Sequence, residues 1–277
     1  MNSRTGSLFY KTGSVIEGID GSIKLMWVIF WSVFTFMFMD LRIFVALIIA
    51  GLILFRVSRI PWRKAKVLFI FVLIFTAFNS IFLFLVTPTY GSELTGTYTT
   101  LFQAGVYQLT YENLFYILTI SVKYIALLPI TIVFLFSTHP SLFASSLDRI
   151  GVPYKIAYTI NIALRYIPDV QQEFNNITSA QEARGVAFDK KDAKLFQRLK
   201  NYTTVLIPML LTSFDRIEIV SNAMDLRGFG RYKKRTWYVR EPYTKIDMVA
   251  LAAGIAFLLL GIYLKATSPS YFWYPFN

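Results

Sequence analysis

The strongest constraint on this fold is an apolar run from Val67 to Val86 that carries no charged residue. A helix of this length crosses the hydrocarbon core of a bilayer, because about 20 residues rising 1.5 Å each cover about 30 Å. Two further apolar runs, Leu114–Phe136 and Met248–Leu264, have similar character. With 55% hydrophobic and 17% aromatic residues, the chain is more apolar than a typical soluble domain. The sequence therefore predicts an all-α polytopic membrane protein.

An earlier apolar region is interrupted by Asp40-Leu41-Arg42, which separates Leu25–Met39 from Ile43–Phe55. Two structures fit this pattern: two short helices in a tight hairpin, or one long tilted helix that contains a buried ion pair. The hairpin is favoured, because charged side chains at the bilayer midplane are costly. The total is then about five transmembrane helices. Lys123, inside the fourth, has either a structural or a transport role, and the structural role is favoured.

The net charge of +12 is distributed unevenly between successive loops. Seventeen of the 28 Lys and Arg residues lie between Ser137 and Lys245, and five more lie in the connector 56–66. The segment Thr87–Asn113 contains none. This asymmetry follows the positive-inside rule, which places the N-terminus in the cytoplasm and the C-terminus outside. It favours a multi-pass protein of the plasma membrane, in contact with lipid, over a nucleic-acid-binding protein.

The predicted organisation has three parts. Residues 1–136 contain an N-terminal tail and transmembrane helices 1–4, and residues 137–245 form a cytoplasmic helical domain that begins with a short helix, Ser141–Ile150. Residues 246–277 contain the last transmembrane helix and an external tail, whose aromatic residues suit the membrane interface. The basic run Arg231–Arg240, just before the last helix, suits anionic lipid.

The predicted cytoplasmic domain is dominated by two long amphipathic helices. The first begins at Tyr154, repeats apolar residues at spacings of three and four, and ends at Ala183-Arg184-Gly185. After a turn at 188–191, the second runs from about Asp192 to Leu226, followed by Arg227 and Gly228. A proline inside each helix predicts a bend; the two are Pro168 and Pro208. Residues 203–214 are apolar on all sides but too short to span a bilayer, which favours burial against another protein.

The two Arg-Gly motifs have two interpretations. Glycine after a helix adopts the left-handed conformation and arginine complements the helix dipole, so each pair can be a simple C-cap. An exposed arginine at a helix end can also form a bidentate pair with a carboxylate of a partner. Two copies, each ending a long helix of this domain, favour docking to two partners or to one pseudo-symmetric dimer.

Catalytic chemistry is not predicted. The chain has no cysteine and one histidine, His139, which argues against thiol nucleophiles, disulfides and His- or Cys-based metal sites. Asp215 and Glu218 lie one turn apart, a spacing typical of solvated helix faces. No Gly-Lys-Ser/Thr phosphate-binding loop is present in the sequence, so ATP chemistry would have to lie in other subunits.

Four motifs resemble those of one family, the transmembrane T component of energy-coupling factor transporters, which are importers of the ABC class. Asp20-Gly21-Ser22-Ile23-Lys24-Leu25 resembles the family's Asp-Pro-Arg-x-Lys-Leu, with Gly-Ser in place of Pro-Arg. Thr138-His139-Pro140 resembles its Thr-x-Pro, and Arg165-Tyr166-Ile167-Pro168 resembles its Arg-x-Ile-Pro. The two Arg-Gly motifs match its paired Ala-Arg-Gly and x-Arg-Gly.

The resemblance implies a non-catalytic coupling scaffold in the cell membrane of a prokaryote, serving uptake of a vitamin or other micronutrient. Two cytoplasmic ABC ATPase subunits would dock on Ala183, Arg184, Gly185, Leu226, Arg227 and Gly228. A separate substrate-binding membrane protein, the S component, would pack on Ile160, Ile167, Phe174, Leu206, Leu210 and Ile217. The chain itself would bind no cofactor or metal, and ATP and Mg²⁺ would be bound by the partner subunits.

Three alternatives remain open at this point. An ordinary ABC permease would form the substrate path itself and would need more intramembrane polar residues than Asn79 and Lys123. A polytopic membrane enzyme would need paired carboxylates or histidine near a membrane face. A membrane anchor carrying a cytoplasmic coiled coil would need neither.

Overall fold

The computed structural model describes residues 12–104, 107–188, 195–232, 236–237, 242–267 and 272–275. In this part of the chain, nine α-helices and one β-hairpin account for the regular structure, which confirms the all-α class. In chain order the elements are α1 (Gly21–Met37), α2 (Leu41–Val57), α3 (Trp62–Val86), α4 (Tyr90–Thr95), β1 (Thr100–Ala104), β2 (Tyr107–Thr110), α5 (Tyr111–Ser137), α6 (Pro140–Arg149), α7 (Tyr154–Ala183), α8 (Leu195–Leu226) and α9 (Lys245–Thr267).

Three helices are long and apolar enough to cross a membrane: α3, α5 and α9. Helices α5 and α9 extend beyond their predicted apolar runs at both ends, and α3 begins before its predicted run. The connector predicted at 56–66 is therefore shorter than expected, because α3 already begins at Trp62. The basic residues Arg63, Lys64 and Lys66 belong to this helix. Long basic side chains permit this, since they reach the headgroups from within a helix. The helices α1 and α2 have 17 residues each, about 26 Å, slightly less than a full span.

The first apolar region consists of two helices, as predicted. Asp40 is the N-cap of α2. Its carboxylate accepts a hydrogen bond from the backbone N–H of Arg42 at 2.9 Å and forms an ion pair with the Arg42 guanidinium at 2.8 Å. The arginine side chain is 62% exposed, so this ion pair is not buried. The expected tight hairpin is wrong in one respect: α1 packs mainly against α9 and α5, α2 packs mainly against α5, and the two helices make few contacts with each other.

A glycine explains why α2 prefers α5. A Cβ atom at Gly51 would lie 2.8 Å from the Cβ atom of Pro129 in α5, so only glycine permits this approach. Trp31 of α1 joins the same contact by donating its indole N–H to the carbonyl of Ala126 at 3.0 Å. Together α1, α2 and α5 enclose one apolar core, formed by Trp31, Phe34, Phe38, Phe44, Leu47, Ala126 and Ile130.

Helix α9 packs along α1 through aromatic side chains and glycines. The ring of Phe257 stacks on Phe34, with 4.4 Å between centroids, and on Trp31 at 5.5 Å. Gly254 and Gly261 are buried and lie under aromatic rings of α1. The two glycines, seven residues apart, therefore form a stripe without side chains along α9, the glycine stripe. The aromatic side chains of α1 occupy the space above it.

The segment 87–113 contains more regular structure than its polar composition predicts. It forms α4 and the antiparallel hairpin of β1 and β2. Glu112 closes this region, because its buried carboxylate accepts hydrogen bonds from the backbone N–H and the hydroxyl of Thr99. Gly91 lies so close to α5 that an added Cβ would be 2.5 Å from the Cα of Asn113.

Lys123 is half-buried inside α5 and makes contacts with the segment 36–39. Its ammonium lies 4.8 Å from the ring centroid of Phe36 and 3.8 Å from the sulfur of Met39. A cation against an aromatic face is a stabilising contact. These contacts fit a structural role for Lys123, which stays a prediction.

The described residues form two compact units. One contains α6, α7, α8 and the residues up to Trp237, and the other contains all remaining helices and the hairpin. The predicted boundaries at 137 and 245 stay a prediction. The predicted N-terminal tail lies partly outside the described residues, as do most of the basic run 231–240 and the ends of the external tail.

The glycine stripe of α9 gives a testable prediction. In the substitution Gly261→Leu, the new side chain would collide with Phe34, because a Cβ alone would already lie 2.5 Å from its ring. Overpacking of this kind costs about 1–3 kcal/mol, so we expect a lower thermal unfolding midpoint of the purified chain. Ala256→Leu, at an exposed position of the same helix, is the control and should leave the midpoint unchanged. Equal midpoints for both variants would contradict the close packing.

Candidate functional site

The long helices α7 and α8 form an antiparallel pair. Near the end of α7, Phe174 stacks on Tyr202 of α8 with 6.2 Å between ring centroids. Near the beginning of α7, Tyr158 lies 5.0 Å from the ring of Phe229, which follows α8. The residues directly after α7 are also held, because the Asn201 side chain donates a hydrogen bond to the carbonyl of Ala187 at 2.7 Å. The predicted turn 188–191 and the predicted helix start at Asp192 lie mostly outside the described residues.

The middle of the pair is held by polar contacts. The carboxylate of Glu173 accepts a hydrogen bond from the Thr212 hydroxyl at 2.6 Å and one from the Arg216 guanidinium at 3.0 Å. The same guanidinium lies 5.6 Å from the ring centroid of Tyr166. The amphipathic pattern of α7 does not indicate this contact, because Glu173 belongs to its polar face and yet lies against α8. No sequence signal singled out Arg216, since its partner is 43 positions away.

The first Arg-Gly motif ends α7 in a Schellman cap. The N–H of Gly185 donates to the carbonyl of Glu182 at 2.9 Å, and the N–H of Val186 donates to that of Gln181 at 3.0 Å. These are the two bonds that define the motif. Gly185 has φ of 85°, a left-handed value that costs other residues free energy. Arg184 occupies the cap position itself and is exposed.

The second motif ends α8 with the same hydrogen bonds. The N–H of Gly228 donates to Asp225 and the N–H of Phe229 donates to Met224, both at 2.9 Å, and Gly228 has φ of 63°. Arg227 therefore occupies the same cap position as its counterpart and is also exposed. The residue before it, Leu226, is 90% exposed, which is unusual for a large apolar side chain.

The two arginines lie at opposite ends of the helix pair. Arg184 follows the last residue of α7, whereas Arg227 lines a cavity of about 530 Å³ with Tyr154 and Tyr158 at the beginning of α7. About 25 residues of α7 separate these points, or about 40 Å at 1.5 Å per residue. The structure therefore presents two equally capped arginines at well-separated positions.

An apolar surface lies between these ends. Of the residues predicted to face a membrane partner, four are largely exposed: Ile167 (44%), Leu206 (42%), Leu210 (53%) and Ile217 (62%). Ile160 is half-buried, and Phe174 is half-buried because it stacks on Tyr202. The neighbouring residues Ile207, Leu211 and Phe214 are exposed as well. Most of the apolar stretch 203–214 is thus exposed, apart from the fully buried Val205, and its burial against another protein stays a prediction.

Both helix prolines lie inside their helices, as predicted. The bends expected at Pro168 and Pro208 stay predictions. Within the described residues, no group of three or more His, Asp and Glu side chains could hold a metal ion. The expectation that the chain binds no cofactor stays untested.

The fold and this surface together define a class: an all-α, multi-pass membrane protein whose insertion before the last helix carries two capped arginines on an antiparallel helix pair. Comparison with known proteins gives the family. The profile of the CbiQ family, described as a cobalt transport protein, matches residues 12–238. The chain therefore belongs to this family of transmembrane T components of energy-coupling factor transporters.

Individual relatives agree with this assignment. Over 268 residues, the chain is 25% identical to the energy-coupling factor transporter transmembrane protein EcfT of Macrococcus caseolyticus, covering 93% of this chain and 96% of the relative. It is 25% identical to the Bacillus subtilis protein of the same name, covering 88% and 94%. The Leuconostoc gelidum subsp. gasicomitatum protein is 31% identical over 173 residues, covering 60% of this chain and 64% of the relative.

The glycine of the first cap gives a testable prediction. An added Cβ at Gly185 would meet no atom within 4 Å, so Gly185→Ala introduces backbone strain without a clash. The left-handed conformation should cost about 1–2 kcal/mol. We expect faster hydrogen exchange of the amides of Gly185 and Val186. Gly185→Asn should keep most of the protection, because asparagine tolerates this conformation. Unchanged protection in the alanine variant would contradict the cap.

Proposed function

We propose that this chain is the membrane-embedded coupling scaffold of an energy-coupling factor importer. In this proposal it transmits ATP-driven motion of two cytoplasmic ATPase subunits to a separate substrate-binding S component, for uptake of a vitamin or other micronutrient. The observation that carries the proposal is the pair of equally capped, exposed arginines at opposite ends of α7 and α8. Family membership supports it, because the relatives are named as transmembrane proteins of such transporters.

Each cap is suited to dock on one ATPase. A guanidinium at a rigid C-cap position presents a planar fork of donors, which fits a carboxylate in a partner's groove. The hydrogen bonds of each Schellman cap fix the backbone around the arginine, so less conformational entropy is lost on binding. A separation of about 40 Å, estimated from the helix rise, allows two partners to bind without overlap.

The exposed apolar surface between the caps is suited to the S component. Leu206, Leu210 and Ile217 leave a large apolar area uncovered, and such areas on proteins mark binding surfaces. The surface lies on the same helices as the two caps, so a displacement of either cap moves the surface as well. The contacts of Glu173 with Thr212 and Arg216 stabilise the pair against sliding during this motion.

The chemistry of the cycle belongs to the partners in this proposal. ATP and Mg²⁺ would be bound by the ATPase subunits, and the substrate by the S component. This chain would lie in the plasma membrane with its N-terminus in the cytoplasm, as the distribution of Lys and Arg favours. The helical insertion would then face the ATPases.

The docking role of the arginines is tested by replacing Arg184 and Arg227 together with alanine. We expect the ATPase subunits to be lost from the complex purified through a tag on this chain, because both bidentate contacts disappear. The amount of this chain in the membrane should not change. Replacing both arginines with lysine should also weaken binding, since lysine lacks the planar fork.

The matched control for the arginine experiment is the double variant Lys155→Ala and Lys200→Ala. Both lysines are exposed on α7 and α8, so the control removes the same charge from the same helices. It should retain the ATPases. Stoichiometric ATPases in the double arginine variant would show that the caps are not the docking sites.

The apolar surface is tested by Leu206→Glu combined with Leu210→Glu. Burying two carboxylates against an apolar partner is costly, so the S component should be missing from the purified complex while the ATPases remain. Thr204→Glu, exposed on another face of α8, is the control and should keep the S component. Retention of the S component by the double glutamate variant would contradict this role.

A further inference from the structure

A buried lysine holds the end of α5. Lys24 lies in the first turn of α1 and is only 6% exposed. Its ammonium donates a hydrogen bond to the carbonyl of Ser137 at 2.9 Å and another to the carbonyl of Glu17 at 3.1 Å. Ser137 is the last residue of α5, where carbonyls lack partners within the helix and the helix dipole is negative. Lys24 therefore supplies both the donor and the charge that this helix end requires.

Two buried hydroxyls at the end of α5 contribute nothing to holding the connection that follows. The hydroxyls of Ser137 and Thr138 are buried, and neither makes a hydrogen bond with any described residue. Pro140 then begins α6, which belongs to the other compact unit. The hydrogen bond from Lys24 is thus a polar contact that holds the point where the chain leaves the unit of the membrane-spanning helices, the membrane unit.

A buried aspartate fixes the point where the chain returns. Asp247, in the first turn of α9, is 2% exposed. One of its oxygens accepts a hydrogen bond from the backbone N–H of Asp20 at 2.8 Å, and the other accepts two from Thr244 at 2.8 Å. The hydroxyls of Ser22 and Tyr243 lie 3.1 Å apart. The start of α9 is therefore tied to the start of α1, the same turn that carries Lys24.

Burying the charged side chains of Lys24 and Asp247 costs free energy. Desolvation of a charged side chain costs several kcal/mol, and hydrogen bonds repay this cost only in part. Replacing buried charges by apolar side chains of similar volume is often neutral or stabilising. Stability alone therefore does not require Lys24 and Asp247 at this place.

We propose that Lys24, together with Asp247, is a positioning residue for energy coupling. The two side chains hold the outgoing connection after Ser137 and the returning connection before Asp247 on one turn of α1. With these two points held, motion of the helical insertion is passed to α1, α5 and α9. This inference rests on the function proposed above.

The inference is tested by Lys24→Met in the complete complex, purified through a tag on this chain. Methionine keeps the apolar stem and removes the donor. Hydrogen exchange is followed with and without Mg²⁺-ATP as the probe. In the unchanged protein, we expect ATP to alter exchange both in the helical insertion and at the end of α5 and the start of α9. In the variant, the difference in hydrogen exchange between samples with and without ATP should fall about tenfold at the end of α5 and the start of α9, as expected from the loss of a charged hydrogen bond. The difference in the insertion should remain.

Controls separate coupling from folding and from the function proposed above. Lys245→Met, at an exposed position two residues before Asp247, should behave as the unchanged protein. Asp247→Asn provides a second test that does not depend on the folding of the first variant, and it should show the same loss of ATP-dependent exchange. A purely structural role would instead raise exchange equally with and without ATP.

Three results would overturn the inference: an undiminished ATP response in both variants, loss of partner subunits from both variants, or an ATP response of the unchanged protein that stays within the insertion. Absence of ATPases from the unchanged complex would instead reject the function proposed above. The two failures are thus distinguishable.

Discussion

The packing of α1 and α2 against α5 is the constraint on which the membrane unit depends. Apolar surface has no preference for protein over lipid tails, so helices associate in a bilayer through close fit and hydrogen bonds. The structure supplies both at α5: Pro129 fits the surface of Gly51, and Ala126 accepts the indole N–H of Trp31. The positions of α1 and α2 follow from these contacts, and α9 is then placed by the aromatic side chains of α1.

The helical insertion depends on a different balance. Within the described residues, its two long helices share the ion pair of Glu173 with Arg216 and a few aromatic contacts, and α8 leaves most of its apolar side chains exposed. Such a pair is held in register at a few points without forming a large core. This arrangement suits a part that must keep its own shape while its surface remains available to partners.

Local features of the fold were predictable from the sequence, and distant contacts were not. The C-terminal ends of α7 and α8 were predicted to the residue, because a glycine with left-handed backbone follows the capping arginine of each helix. The break between α1 and α2 was predicted because Asp40 and Arg42, two positions apart, interrupt the apolar run with charges that are costly inside a bilayer. Contacts between distant residues carry no local signal: Lys24 and Ser137 are 113 positions apart, and Asp20 and Asp247 are 227 apart. The orientation of Glu173 toward Arg216 was missed for the same reason.

The two Schellman caps have one consequence for selectivity. Their hydrogen bonds and the backbone positions of their arginines are equivalent, so a groove that accepts one cap has no reason within the cap backbone to reject the other. What differs is the apolar surroundings: Ala183 and Val186 flank the first arginine, whereas Leu226 and Phe229 flank the second. Discrimination between two unlike binding partners would therefore depend on the size of these flanking side chains, with the arginine providing a common attachment point.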